Sequence, residues 1–380
     1  MRQAMFIVML FALPIQAQTP SVFYLAHFSN STSPIGVIEN FDSTKHRVLI
    51  QNVEKNVAGD EGVVGAEAIV ERKSGRFAVF LTAKGFEQFN FKSKQNHIVF
   101  GDVKSGFTDF MAADKSCQEE KMKCFESPLR FSNDGKKVFA IAHFSSRSAV
   151  NLYDLEKKSL MKDIGGKPKG KETRNVILSD DELHVAITMN ADKRIYLKRI
   201  GDKAPPREAF QPSEEVQLLF MNGEQLVYAK TIDGGIYKND QSGNYRELCV
   251  LNVKTKEEKT VFKFEPIHRL IPANELRRSL AFDRKNNRLY FAVSKKNYKE
   301  TGDLYRLDLA THLTTKISND FDDIFDISSD GKFALGMLRV GESVDAPDGK
   351  IIRVLNLESN ASQSFTQQNC LKILTLGFYD

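Results

Sequence analysis

Acidic side chains recur at one fixed place along this chain. Several short turns rich in Asp, Asn or Gly are each preceded by an apolar residue. Counting five positions back from that residue gives Glu126, Glu215 and Asp322 in three segments. In a fourth segment the position is Thr173 with Glu172 beside it, and Asp323 stands next to Asp322; Arg277 and Gly65 hold it in two others. Carboxylates brought from distant segments to one point offer the several oxygens that a hard cation such as Ca²⁺ requires. They could also hold a basic ligand group, or accept hydrogen bonds from the backbone of a neighbouring segment. A second series follows each apolar run: His27, Thr82, His143, Thr188, Thr231, Ser294 and Leu338. His27 and His143 could move protons or ligate a metal beside the carboxylates, or cap strand ends. His46, His97, His268 and His312 have no partner at ligand spacing, and Asp320–Asp326 lacks the spacing and glycine of an EF-hand loop.

The elements that must position these residues are strands. Val22-Phe-Tyr-Leu-Ala-His27-Phe-Ser29 recurs as Val138-Phe-Ala-Ile-Ala-His143-Phe-Ser145. Weaker copies share one pattern: a turn such as Asn133-Asp134-Gly135, Asn222-Gly223 or Asp330-Gly331, a continuous apolar run, a polar connection, and an alternating strand such as Asp303-Leu-Tyr-Arg-Leu307. Asn-Gly and Asp-Gly favour tight hairpins. Continuous runs predict strands buried on both faces, and period-two alternation predicts half-buried ones. The units repeat every roughly 40 to 60 residues, the length of a four-stranded propeller blade. No amphipathic helix intervenes, which disfavours a parallel α/β sheet. The reading is an all-β, seven-bladed β-propeller, with six or eight blades as alternatives. The first unit opens on its second strand at Val22, and Leu371–Phe378 forms a strand without a unit of its own. The C-terminal strand is therefore expected to supply the missing inner strand and close the ring.

The turns carry a resemblance. Phe131-Ser132-Asn133-Asp134-Gly135-Lys136-Lys137-Val138 and Ile327-Ser328-Ser329-Asp330-Gly331-Lys332-Phe333 resemble the Ser-Pro-Asp-Gly-Lys repeat of TolB-type propellers. Ser127-Pro128 fits that repeat too. Asn151-Leu-Tyr-Asp154-Leu155 and Asp303-Leu-Tyr-Arg-Leu-Asp308-Leu309-Ala310-Thr311 are similar to the family's Leu-Tyr-x-x-Asp-x-x-Thr-Gly strand and turn. Proline is missing from every copy of the Ser-x-Asp-Gly turn, and the N-terminal α/β domain of TolB is not expected. The resemblance implies a protein- or ligand-binding scaffold. Some propellers of this kind are domains of hydrolases, but the Gly-x-Ser-x-Gly pentapeptide of prolyl-oligopeptidase-type enzymes does not occur here.

Composition narrows the classes further. The chain holds 28 Phe, 10 Tyr and no Trp, which removes tryptophan-aspartate repeats and quinone-dependent propeller dehydrogenases. The Phe residues fall beside the repeat turns and read as packing between blades. The formal net charge is +5, with both signs scattered, and the densest basic run, Lys167-Pro-Lys169-Gly-Lys171, reads as a solvated turn; no nucleic-acid partner is expected. Residues 1–17 read as a secretory signal peptide, with Arg2, the apolar stretch Met5–Leu13 and a small residue at Ala17; residues 18–380 read as one propeller domain. No later stretch is long and apolar enough to span a bilayer. Export permits disulfides, and Cys117 and Cys124 bracket a polar segment short enough to close into a ring. Cys249 reads as a small core residue, and the state of Cys370 stays open. The long connections 294–302, 341–349 and 104–125 are candidate recognition loops. The expected function is a monomeric, non-enzymatic scaffold in the periplasm or outside the cell, binding a protein or peptide. The alternative is a metal-assisted hydrolase or lactonase using the acidic register, with Ca²⁺ as the candidate cofactor.

Overall fold

The structure is a computed structural model that describes residues 19–28, 35–50, 63–83, 97–112, 125–143, 148–166, 173–189, 192–231, 245–265, 280–295, 300–339, 350–367 and 370–379. Twenty-eight strands form seven four-stranded antiparallel sheets, and the only helical turns among the described residues are two of three residues each. No helix among these residues is long and apolar enough to cross a membrane.

Each sheet is a blade whose strands run inner, second, third and outer. The inner strands are Cys370–Tyr379 (blade 1), Val63–Val70 (2), Phe125–Phe131 (3), Thr173–Leu178 (4), Val216–Asn222 (5), Leu280–Asp283 (6) and Asp323–Ile327 (7). Blades 2 to 7 each use four consecutive strands. Blade 1 instead takes Ser21–Phe28, Ile35–Ile38 and His46–Ile50 from the start of the chain and its inner strand from the end. Val22 pairs with Phe378 and Leu25 with Thr375, so the C-terminal strand closes the ring as the unpartnered apolar segment predicts. Closure hides the edge that blade 1 would otherwise expose.

The second strands explain the continuous apolar runs. In Ser21–Phe28, Val22, Tyr24 and Ala26 pack toward blade 7, while Phe23 and Leu25 pack toward blade 2. Both faces of the strand are interior, so alternation disappears. The described core falls into seven apolar clusters, one at each interface between successive blades, including that between 7 and 1. Aromatic rings bridge several of them. Phe23 stacks on Phe77 across blades 1 and 2 with centroids 5.7 Å apart, and Phe220 meets Phe282 across blades 5 and 6 at 4.6 Å. Fully burying such a side chain contributes about 1.5–3 kcal/mol, so the phenylalanines are the adhesive between blades.

Inner strands of every blade but blade 6 shift register against their second strands. Such bulges bend a strand and sharpen its twist, as a radially pitched blade needs. One expectation is corrected: residues 104–125 are not a single long connection, because Thr108–Ala112 is the outer strand of blade 2, paired with His97–Gly101. An outer strand packs one face only, and its short pattern reads as loop.

Candidate functional site

Chain direction decides which side chains share an end of the ring. Inner and second strands are antiparallel, so the start of one lies beside the end of the other. Phe125 faces His143, Thr173 faces Met189 and Asp323 faces Met337. The two polar registers read from the sequence therefore meet at one end, which we call the entry end. Glu126 is the second residue of the blade 3 inner strand, His143 closes the second strand of that blade, and His27 lies across from Lys372 in blade 1. The side chains of these three fall outside the described set, and Glu172, Cys117 and Cys124 lie outside the described residues.

Glu215 stands half-buried just before the inner strand of blade 5, and Asp323 opens that of blade 7. Asp322 is 5% exposed and does a structural job. Its carboxylate accepts the Gly302 N–H at 3.0 Å, and its carbonyl accepts the Ser294 hydroxyl at 3.1 Å. Gly302 leads into the third strand of blade 6, so Asp322 ties blade 7 to blade 6. Thr173 does the same between blades 3 and 4: its hydroxyl accepts the Ser148 N–H at 3.1 Å and donates to the Ser148 carbonyl. At two interfaces, then, the fifth-upstream position is an interblade tie. Among the described residues no three His, Cys, Asp or Glu side chains gather closely enough to hold a metal ion.

The opposite end is built from the Ser-x-Asp turns. The Ser132 hydroxyl donates to Asp134 and accepts the Lys137 N–H at 3.0 Å, while Asp134 accepts the Lys136 N–H at 3.0 Å. Ser179 with Asp181, and Ser328 with Asp330, repeat the arrangement. The Ser132 hydroxyl, helped by the Lys136 amide, holds the Asp134 carboxyl below the usual carboxylate range. The middle residue of the turn works between blades. The Asn133 amide donates to Glu182 at 2.7 Å, and the Asp180 amide donates to the Met221 carbonyl at 2.7 Å. Proline has no amide hydrogen, so the family's Ser-Pro-Asp spelling would delete both bonds.

Charged side chains from these turns reach across the ring. Arg284 of blade 6 grips Asp180 of blade 4 with two bonds of 2.8 and 2.9 Å, passing over blade 5. Arg130 of blade 3 donates to the Ser179 carbonyl at 3.0 Å and to the Asp180 carbonyl and Glu182 carboxylate at 3.3 Å each. Burial pushes the Arg130 guanidinium down from its ordinary pKa, and Asp180 and Glu182 oppose that shift. Arg72 of blade 2 pairs with Asp326 of blade 7, whose other oxygen accepts the Phe378 N–H of the closing strand at 2.9 Å. Sequence reasoning overlooked this network. Its signal was present: two positions after the reference residue stand Arg72, Asn133, Asp180, Asn222, Arg284 and Ser329, all polar. Just beyond the ion pairs lies a cavity of about 230 Å³, walled by inner strands of blades 3 to 6 with Arg130 and Asp180 among its lining.

No protein-family model and no curated protein sequence matches the chain. Solved structures do match in fold. TolB from Acinetobacter baumannii superposes with a TM-score of 0.50 at 9% identity, over 95% of this chain and 67% of its own. An oligogalacturonate lyase in complex with manganese gives 0.57 at 10% identity, over 90% of this chain and 84% of its own. A protein described as a candidate 6-phosphogluconolactonase from Bacteroides fragilis gives 0.56 at 11% identity, over 97% of this chain and 100% of its own. Against a prolyl endopeptidase the chain spans only 50% of that protein's length. At these identities the likeness establishes the fold alone, a β-propeller, and the seven blades are this chain's own sheets.

Proposed function

We propose that this chain is an exported scaffold that binds a protein or peptide partner at the entry end of its propeller. The carrying observation is the contrast between the two ends. At one, Ser-x-Asp turns and crossing ion pairs leave short, internally bonded loops. At the other, many residues of sequence separate consecutive strands, as between Ala83 and His97, Thr231 and Tyr245, and Lys263 and Leu280. Long connections on a rigid frame are the usual carriers of recognition. TolB's similar fold supports a scaffold by analogy only. Residues 1–17 would direct export, and the exported protein would act as a monomer in the periplasm or outside the cell.

The test is site-directed photo-crosslinking in the producing cell. A crosslinker replacing Glu215 or Asp323 should trap a saturable partner; one replacing Asn222 or Lys285, at the turn end, should not. Equal trapping from both ends would refute the assignment. A second reading rests on the acidic register at the same end, where Glu126, Glu172, Glu215, Asp322 and Asp323 with His27 or His143 would hold Ca²⁺ or another divalent cation. Bound metal would activate water for hydrolysis or lactone opening. Elemental analysis of the purified protein and a thermal shift with added Ca²⁺ separate the two: no metal and no shift removes the hydrolase.

A further inference from the structure

The outer strand of each blade is a sheet edge, with backbone N–H and C=O groups that its own blade leaves unpaired. Charge, bulges and brevity are the devices that keep such edges closed to other strands. Blades 1, 2, 4, 5 and 6 carry Arg47, Asp109, Arg207, Lys259 and Lys316 on theirs. The outer strands of blades 1, 4, 5 and 6 also break register with their third strands. That of blade 3, Ser159–Met161, has only three residues.

Blade 7 has none of these devices. Its outer strand Ser362–Gln367 carries no charge and no proline, and its six residues pair with Lys350–Leu355 in unbroken register. Ser362, Gln363, Ser364 and Thr366 are exposed. The Asn356 amide donates to the Ala361 carbonyl at 2.8 Å, which fixes the phase of the ladder. Bonded and unbonded pairs alternate from there, so the N–H and C=O groups of Ser362, Ser364 and Thr366 point out of the edge. No strand among the described residues pairs with them.

The two faces of this edge differ. Phe365 packs toward blade 1, its ring centroid 5.3 Å from that of His46. Val48 stands in register with Gly36 and Tyr24 on the blade 1 face that looks toward blade 7, and it is 41% exposed. The opposite face of the edge carries the hydroxyls of Ser362, Ser364 and Thr366. Size selects the occupant. A stable interface between two folded bodies takes roughly 20–30 residues a side, whereas this edge offers six. An extended segment suits it, because main-chain bonds hold such a segment and alternate side chains make it selective.

We propose that the outer edge of blade 7 takes up an uncharged, extended segment of a partner polypeptide as a fifth, antiparallel strand. The segment's apolar side chains lie toward Phe365 and Val48, and its hydroxyl side chains lie on the opposite face. This site is on the rim of the ring and does not depend on what the entry end binds.

The probe is a fluorescein-labelled peptide, Thr-Val-Thr-Val-Thr-Val-amide, titrated with the full chain and read by anisotropy. Saturable binding is expected. Directly opposed residues of an antiparallel pair share a face, so the Thr amides of the probe meet the edge and the Val amides face away. N-methylation of the Thr amides should weaken binding at least roughly ten-fold, and N-methylation of the Val amides less than about three-fold. Ser364→Pro removes one outward donor and no bond to Lys350–Leu355, and should also weaken the probe. The methylated probes decide even if that variant fails to fold. No saturable binding, equal affinity of the two methylated probes, or unchanged binding by folded Ser364→Pro would each overturn the proposal. So would a chain that sediments as a dimer and separates on Ser364→Pro, which would put a second copy on the edge.

Discussion

Asp326 is the side chain on which ring closure converges, and its removal gives a quantitative test. One oxygen accepts the Phe378 amide of the C-terminal strand at 2.9 Å, and the other pairs with Arg72 two blades away. The carboxylate is 18% exposed and Arg72 is 30% exposed. A hydrogen bond from a buried amide to a charged acceptor is worth about 1.5–3 kcal/mol. The Arg72 pair, open to water on one partner, adds about 0.2–1 kcal/mol. Asp326→Ala should therefore cost about 2–4 kcal/mol, Asp326→Asn about half of that, and Arg72→Ala under about 1 kcal/mol. With an unfolding entropy of about 2.1 cal/mol/K per residue, a propeller of this length loses about 3–5 °C in Tm for the alanine variant. Denaturant unfolding gives the free energy, and hydrogen exchange gives the location. In Asp326→Ala, amides of Ser21–Phe28 and Cys370–Tyr379 should exchange faster, while those of blade 4 stay protected. A cost below about 0.5 kcal/mol would refute the reasoning. So would faster exchange spread evenly over all blades.

Four further outcomes are expected. Asp180→Ala and Arg284→Ala, combined in a double-mutant cycle, should show about 1 kcal/mol of coupling that shrinks with added salt; additivity would mean the crossing pair does not form. Gly336→Ala should destabilise by about 1–3 kcal/mol in denaturant unfolding, because its Cβ would sit 2.3 Å from the Phe321 ring. Asp134 binds its proton less tightly when folded, so its turn contributes fully above the unfolded carboxylate pKa and loses that contribution as pH falls through the depressed folded value. Carbon NMR titration should show Ser132→Ala moving the Asp134 pKa upward; no movement would deny the hydroxyl its role. Burial raises the pKa of the Cys249 thiol, so it should resist thiol reagents in the native protein and react promptly once unfolded, followed by mass spectrometry.

The fold was legible because its rule is local. Second strands are buried on both faces, and a short turn rich in Asp, Asn or Gly stands before those of blades 2 to 7, so the same pattern recurs along the chain. The closing strand was legible for a different reason: Leu371–Phe378 was an apolar strand without a unit, and Val22 a unit without an inner strand. The outer strand Thr108–Ala112 escaped because it packs one face only. Antiparallel pairing puts strand starts beside strand ends, so the backbone positions of the two polar registers share one end. What each carboxylate does there was not legible. Asp322 meets the Gly302 amide only because blade 6 delivers that amide to it, and no spacing within one unit encodes its neighbour.

The same logic gives a meaning to the missing prolines. In a Ser-Pro-Asp-Gly turn the proline stiffens the loop and gives up an amide hydrogen. Here the middle residue keeps that hydrogen and spends it between blades, Asn133 to Glu182 and Asp180 to Met221. Asp180 also adds a side chain that reaches Arg284 across the ring. Rigidity lost from these two turns is recovered as linkage between blades. Substituting proline separates the two strategies. Asn133→Pro should tighten its own turn but delete one interblade bond, for a small net change. Asp180→Pro should lose the amide bond and both Arg284 contacts, costing several-fold more and loosening the blade 4 to 6 crossing. If both prolines were equally tolerated, the departures from the family spelling would be drift, and the turn end would owe its order to the turns alone.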